Sequence, residues 1–258
     1  MKDSKTLLLE GIEILRKGDE GIDFLIAPNK EKIITTLSAY INEIETFNPA
    51  YGLVGTTDSN ELVIKHILDS LAPLGIINRL TKEVHTNLEP TVRKMHKEHK
   101  EDIGGFIKIA DAGSGAGLPG IPLAICLPEC DFTLIERMGR RAGFLFNTKA
   151  ALELSNVNIE ENELEKCASL LAAPLLTVQP LTAQFDLITF RAFKPLELKL
   201  LKNLQKLLKP GGIIAAYKGK REKIEAEMAS LQGAQPIWEA IPYTVPFLDE
   251  ERNFLVLK

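Results

Sequence analysis

The chain has 258 residues, of which 45% are apolar, and 31 Lys and Arg face 35 Asp and Glu for a net charge of −4. This length holds one large α/β domain plus a small appendage, and the apolar share suits an ordinary globular core. A net negative chain is not held to nucleic acid by bulk charge, which leaves only a local basic face for that purpose.

No apolar run is long enough to cross a bilayer, and the opening MKDSKTLLLEG lacks the layout of a secretory leader. Cys126, Cys130 and Cys167 cannot all pair, so the expected setting is reducing and cytoplasmic, with no disulfide framework. Internal repeats and low-complexity segments are lacking.

In chain order, Leu7, Leu8, Ile12 and Leu15 lie on one helical face. Ile33, Ile34, Leu37, Ile41 and Ile44 then recur at helical spacing, and Phe47-Asn48-Pro49 is expected to break that helix. After a loop, NELVIKHILDSLAPL forms a further helix with an apolar face from Leu62 to Leu74. His66 and Asp69 stand three apart on it, so they share a face. An acid–base pair is one reading. A surface hydrogen bond that orients the helix against the next domain is favoured. Residues 78–105 are charged and read as a solvated helix and linker. His96 and His99 do not match a metal-site spacing with Cys126 and Cys130, so no metal is expected.

A Gly-rich stretch organises the rest. FIKIAD reads as a strand ending at Asp111. Gly113, Gly115 and Gly117 follow at every second position, and Pro119 opens a helix-compatible run. Strand, glycine turn and helix together form the nucleotide-binding opening of a doubly wound sheet. The spacing is G-x-G-x-G rather than G-x-G-x-x-G. This favours a methionine-linked adenosine over a dinucleotide pyrophosphate, since the loop passes a sugar and an amino-acid tail.

Strand and helix then alternate to the end. The strands are DFTLIE ending at Glu136, VNIE, FDLITF before Arg191, IIAAYKG, and two closing strands within AQPIWEAIPYTVPFL and NFLVLK. Lys209-Pro210-Gly211-Gly212 reads as a helix stop. The expected fold is α/β, a doubly wound, mostly parallel seven-stranded sheet with an N-terminal helical extension and an antiparallel closing pair. The expected organisation is a helical cap over 1–77, a charged linker over 78–105 and a Rossmann-like domain over 106–258.

Ligands in such sheets bind beyond the carboxyl ends of the strands. Those ends carry Asp111, Glu136, Arg191, Lys218 and Gly219. Glu136 suits both ribose hydroxyls of an adenosine. Asp111 suits the cofactor ammonium or the loop's own N–H groups. Arg191 suits the cofactor carboxylate, an RNA phosphate or a structural ion pair. Arg137, Arg140, Arg141 and Lys149, with Lys194, Lys218, Lys220, Arg221 and Arg252, offer positive charge near the same edge. Arg137, Arg140, Arg141, Lys218 and Arg252 are the candidate RNA contacts.

These stretches together resemble the RsmG (GidB) family, methyltransferases of small-subunit ribosomal RNA. The resemblance rests on KHILDSLAPL, IADAGSGAGLPGIPLAI, FTLIERMGRRAGFL, FDLITFRAF, LLKPGG, YKGK and VPFLDEERNFLVLK, from about residue 31 to the C-terminus. D-x-G-x-G-x-G is shared by many methyltransferases, whereas GLPGIP, HILDS and RAF are narrower. The resemblance implies a Rossmann-like class I methyltransferase that uses S-adenosylmethionine and methylates guanine N7 in 16S rRNA. It places Gly113 and Leu118 against the cofactor, Glu136 on the ribose, Leu164 and Glu165 beside the adenine, and Arg191 as the active-site arginine. Glu163 stands where the family often has arginine, Phe47 where it has tryptophan, and Asn253 where it has histidine. The charged stretch from about 82 to 105 is longer than usual.

Guanine N7 carries an in-plane lone pair at neutral pH, so the implied reaction needs no general base. It rests on alignment and electrostatics. N7 lies in the deep, narrow groove of A-form RNA, so the target base is expected unpaired. The expected partner is small-subunit rRNA or the small ribosomal subunit, met by a monomer. The rival readings are a same-fold methyltransferase acting on another RNA, a small molecule or a protein, and a non-catalytic RNA-binding relative.

Overall fold

The computed structural model describes residues 2–87, 107–168, 183–191, 195–231 and 236–258. Helix α1, Ser4–Gly18, starts where the Asp3 carboxylate accepts from Thr6 N at 2.7 Å, and it buries Leu7, Leu8, Ile12 and Leu15. Asp19 caps α2, Glu20–Ile26, in the same way. Helix α3, Lys30–Tyr51, runs straight through the expected break. Pro49 lacks only one N–H near the helix end. The helix stops three residues later at Gly52, which takes a left-handed φ of +59°. Asn48 is buried and pins the following loop: its amide donates to Thr56 O at 2.8 Å and accepts from Val54 N at 2.9 Å.

Helix α4 covers residues 59–71: it is α-helical over Ser59–Leu62, π-helical over Val63–Leu68 and α-helical again over Asp69–Leu71. Such bulges are frequent at functional sites. Helix α5 spans Leu74–Asn87 and crosses the expected boundary at 78. Its buried Ile76, Ile77, Leu80 and Val84 make its first part core-facing rather than solvated. Four apolar side chains at helical spacing outweigh the charges between them. The remainder of the expected linker lies outside the described residues.

Among the described residues the sheet has seven strands in the order β3-β2-β1-β4-β5-β7-β6. These are β1 Ile107–Ala112, β2 Cys130–Ile135, β3 Val157–Glu160, β4 Phe185–Arg191, β5 Leu208–Lys218, β6 Trp238–Tyr243 and β7 Arg252–Leu257. Strands β1 to β5 pair in parallel, and β7 slots antiparallel between β5 and β6. Between them lie α6 Gly120–Cys126, α7 Gly139–Ala151, α8 Leu164–Cys167, α9 Leu198–Leu207 and α10 Arg221–Ser230.

Strand β5 takes in the Lys209-Pro210-Gly211-Gly212 stretch, which the sequence marks only as a helix stop. The register of β4 and β5 shifts between Phe185 and Leu187, and the Lys209 ammonium holds the Asp186 carboxylate at 2.8 Å across that irregularity. One apolar cluster joins the N-terminal helices to α6, α7 and one sheet face. A second lies under α9 and α10 on the other face. The strand order reverses between β1 and β4, which opens a crevice at their carboxyl ends.

Candidate cofactor and RNA site

Strand β1 delivers Asp111 to that crevice at 1% exposure. The chain then turns through Gly113, Gly115 and Gly117 with φ of +74°, +59° and +90°, a region that side chains with a Cβ rarely occupy. Gly113 N and Ser114 N both donate to Ile135 O, at 2.9 and 3.1 Å, which ties the loop to β2. From the helical side, the Tyr40 hydroxyl donates to Ala116 O at 2.7 Å. The Leu118–Pro119 peptide is cis. Helix α6 begins at Gly120, one residue later than Pro119 suggests.

Gly120 is a site residue that sequence reasoning missed. Its N–H donates to Asp111 Oδ2 at 2.9 Å, and a Cβ there would strike Leu134 and lie 2.8 Å from Asp111 Oδ2. The second glycine of GLPGIP was the available signal. Asp111 Oδ1 has no partner among the described residues. Burial pushes the Asp111 carboxyl up to about 7, because a charge there lacks water.

Glu136 sits just past β2 at 5% exposure. Its Oε2 accepts from Gly115 N at 2.9 Å, and its Oε1 accepts from Met138 N at 2.8 Å. The carboxylate therefore shapes the loop and the start of α7 while each oxygen keeps a further lone pair. Leu118 and Leu164 are buried, whereas Glu165 is exposed on α8. Glu163 pairs loosely with Lys166 at 3.7 Å.

At the end of β4, the Arg191 guanidinium meets α4. Its Nη1 donates to Lys65 O at 2.9 Å and to Asp69 Oδ2 at 3.3 Å, and its Nη2 donates to His66 Nδ1 at 2.9 Å. His66 and Asp69 thus converge on Arg191 rather than on each other. This is an inter-element contact of the kind the favoured sequence reading described. Asp69 also accepts from the Tyr243 hydroxyl at 3.1 Å and faces Arg252 Nε at 3.4 Å. Tyr217 adds a hydroxyl bond to Ser70 O at 2.7 Å. Burial and the Arg191 charge lower the His66 imidazole to about 4, so it is neutral at physiological pH. Guanidinium only donates, so His66 Nδ1 accepts and the ring proton sits on Nε2.

The basic residues divide. Arg137 and Arg140 are exposed at the start of α7. Arg141 turns inward, donating to Gly52 O at 3.0 Å. Lys218 and Arg252 do not form the expected open phosphate face. Lys218 holds Glu227 at 2.7 Å and lies 5.6 Å from the Phe190 ring, and Arg252 serves Asp69 and Glu250. The reason is that half-buried carboxylates require a cation nearby. Lys194 lies outside the described residues.

Cys126 and Cys130 are buried, and burial raises both thiols to about 12, so neither is reactive. His96 and His99 lie outside the described residues. No helix among the described residues is long and apolar enough to cross a membrane.

Residues 92–255 match the family model described as GidB, rRNA small subunit methyltransferase G. Three proteins named Ribosomal RNA small subunit methyltransferase G are similar along most of their length. The one from Treponema denticola is 36% identical over 262 residues, covering 99% of this chain and 96% of that protein. The one from Treponema pallidum strain Nichols is 35% identical, covering 92% and 91%. The one from Cellvibrio japonicus is 33% identical, covering 90% and 89%. With a seven-stranded sheet, a glycine loop backed by a buried aspartate, and these similarities, the chain belongs to the GidB family of rRNA small subunit methyltransferases.

Proposed function

We propose that this chain transfers the methyl group of S-adenosylmethionine to N7 of a guanine in small-subunit ribosomal RNA. The observation that carries the reading is the buried Asp111, which keeps one carboxylate oxygen without a partner among the described residues, behind a loop with glycine at every second position. A buried acceptor left open calls for a donor, and the cofactor ammonium is one. The donor set fits the rest of the cofactor. Asp111 takes the ammonium, Gly113, Gly115 and Gly117 let the sugar and tail approach the backbone, and Glu136 offers its spare lone pairs to the ribose hydroxyls. Leu118 lines the cofactor, and Leu164 and Glu165 stand beside the adenine.

When bound, S-adenosylmethionine supplies a methyl group on a positively charged sulfur. The chain's own work is binding and alignment. Guanine N7 carries no proton, so no residue here has to remove one, which accords with a neutral His66 bound to Arg191. Three of the five Arg191 donors are engaged by α4, and two have no partner among the described residues. Arg191 therefore holds α4 and still offers donors to a carboxylate or phosphate. Arg137 and Arg140, exposed and close after Glu136 in the chain, offer charge to the RNA backbone.

The test is methyl transfer from labelled cofactor to small ribosomal subunits and to naked rRNA taken from cells lacking the protein, followed by mass mapping. One new 7-methylguanosine is expected. Label on another base, or only on small molecules, would overturn the assignment.

A further inference from the structure

We infer that His66 reads the target base, its Nε2–H donating to guanine O6 beside the nitrogen that is methylated. This rests on the proposed guanine-N7 reaction. Arg191 Nη2 donates to His66 Nδ1 at 2.9 Å, so the single ring proton of a neutral His66 is forced onto Nε2. The ring stays neutral because burial and the Arg191 charge both oppose protonation. It is only half-buried, and Nε2–H has no acceptor among the described residues. A donor of fixed tautomer is therefore left open beside the end of β4. It sits on a π-helical turn, with Asp69 one turn on holding the same guanidinium.

The guanine edge that carries N7 also carries O6, and both accept hydrogen bonds. The N7 lone pair must stay free to attack, so a protein can hold this edge only through O6. A guanidinium spread over O6 and N7 would occupy that lone pair. A single neutral donor on O6 leaves it available and draws less charge from the ring. Adenine also offers N7, but it presents N6–H2 where guanine has O6, so His66 Nε2–H would meet another donor.

Two substitutions separate the two ring nitrogens. In His66→Asn the short amide oxygen can accept from Arg191 but supplies no donor at the Nε2 position. In His66→Gln the longer amide reaches the Nε2 position as a donor and gives up the Nδ1 acceptor. The full-length protein is assayed on small subunits with guanosine or, by rRNA mutation, adenosine at the mapped position. Wild type is expected to prefer guanosine. His66→Asn should lose about tenfold to a hundredfold of that preference. His66→Gln should lower the absolute rate through a less well-held Arg191 yet keep the preference. Cooperative urea unfolding and measurable cofactor binding by calorimetry in both show that the variants are folded. An unchanged preference in His66→Asn, or equal loss in both variants, overturns the assignment. If wild type methylates no guanine N7 in the subunit, the parent reading fails and this one falls with it.

Discussion

Asp111→Asn separates two roles carried by one side chain. The wild-type carboxylate accepts from Gly120 N with Oδ2 and leaves Oδ1 open, and burial moves its pKa from 3.8 up to about 7. Between those values the folded protein holds a proton that the unfolded chain has already released. Stability from this group is therefore fully present below 3.8, falls as pH rises through the window, and is level above about 7. The gap corresponds to about 4 kcal/mol as a ceiling. Asparagine keeps the acceptor for Gly120 and cannot ionise. The ligand-free variant should lose this slope and, at pH 8, gain about 1–3 kcal/mol once its unpaired amide N–H2 is counted. Cofactor binding should move the other way. The ammonium loses a charged partner, and affinity should fall about tenfold to a hundredfold. A bound ammonium also favours ionised Asp111, so wild type should release a proton on binding at pH 6 and the variant should not. Calorimetry in buffers of different ionisation enthalpy measures that proton, and urea unfolding at pH 5 and pH 8 measures the stability. A variant that is less stable at pH 8 yet binds the cofactor as tightly as wild type would refute both halves of the argument.

Gly117→Val should abolish cofactor binding in titration calorimetry, because its Cβ would lie 2.5 Å from Ile121 Cδ1 and 3.0 Å from Leu145 at a φ of +90°. Unaltered affinity would show that the loop does not touch the ligand. Asp69→Ala leaves the Arg191 and Arg252 guanidiniums and the Tyr243 hydroxyl without their shared acceptor. Urea unfolding should show a loss of about 3–5 kcal/mol, and a loss near zero would mean that α4 docks by apolar packing alone. Reversing the exposed Arg137 and Arg140 to Glu should raise KM for the ribosomal substrate and make its salt dependence shallower by about 0.7–0.9 per lost phosphate contact. Cofactor affinity should stay the same, and an unchanged salt slope would place the RNA elsewhere.

The local chain carried much of this molecule. The apolar period marked α1 and α3, the strand before Asp111 marked β1, and the glycine triplet marked the turn that follows, because side-chain spacing and left-handed backbone are local properties. It also brought Asp111 and Glu136 to neighbouring strand ends, since parallel strands joined by crossovers align their carboxyl ends. Elsewhere local signals misled. Pro49 sits inside a helix that packing sustains, and Pro210-Gly211-Gly212 lies within β5 at the register irregularity beside the Lys209–Asp186 ion pair. The identity of each charge's partner was decided only by the tertiary structure. Arg191 and His66 lie 125 residues apart, and Asp69 gathers Tyr243 from 174 residues away. Lys218 and Arg252 read as free cations in the chain but turn to Glu227 and to the buried Asp69. The sequence by itself therefore determined the sheet and the glycine cradle. The tertiary structure decided which polar groups are used up in holding it together and which remain open for a ligand, because burial sets the penalty for leaving any of them unpaired.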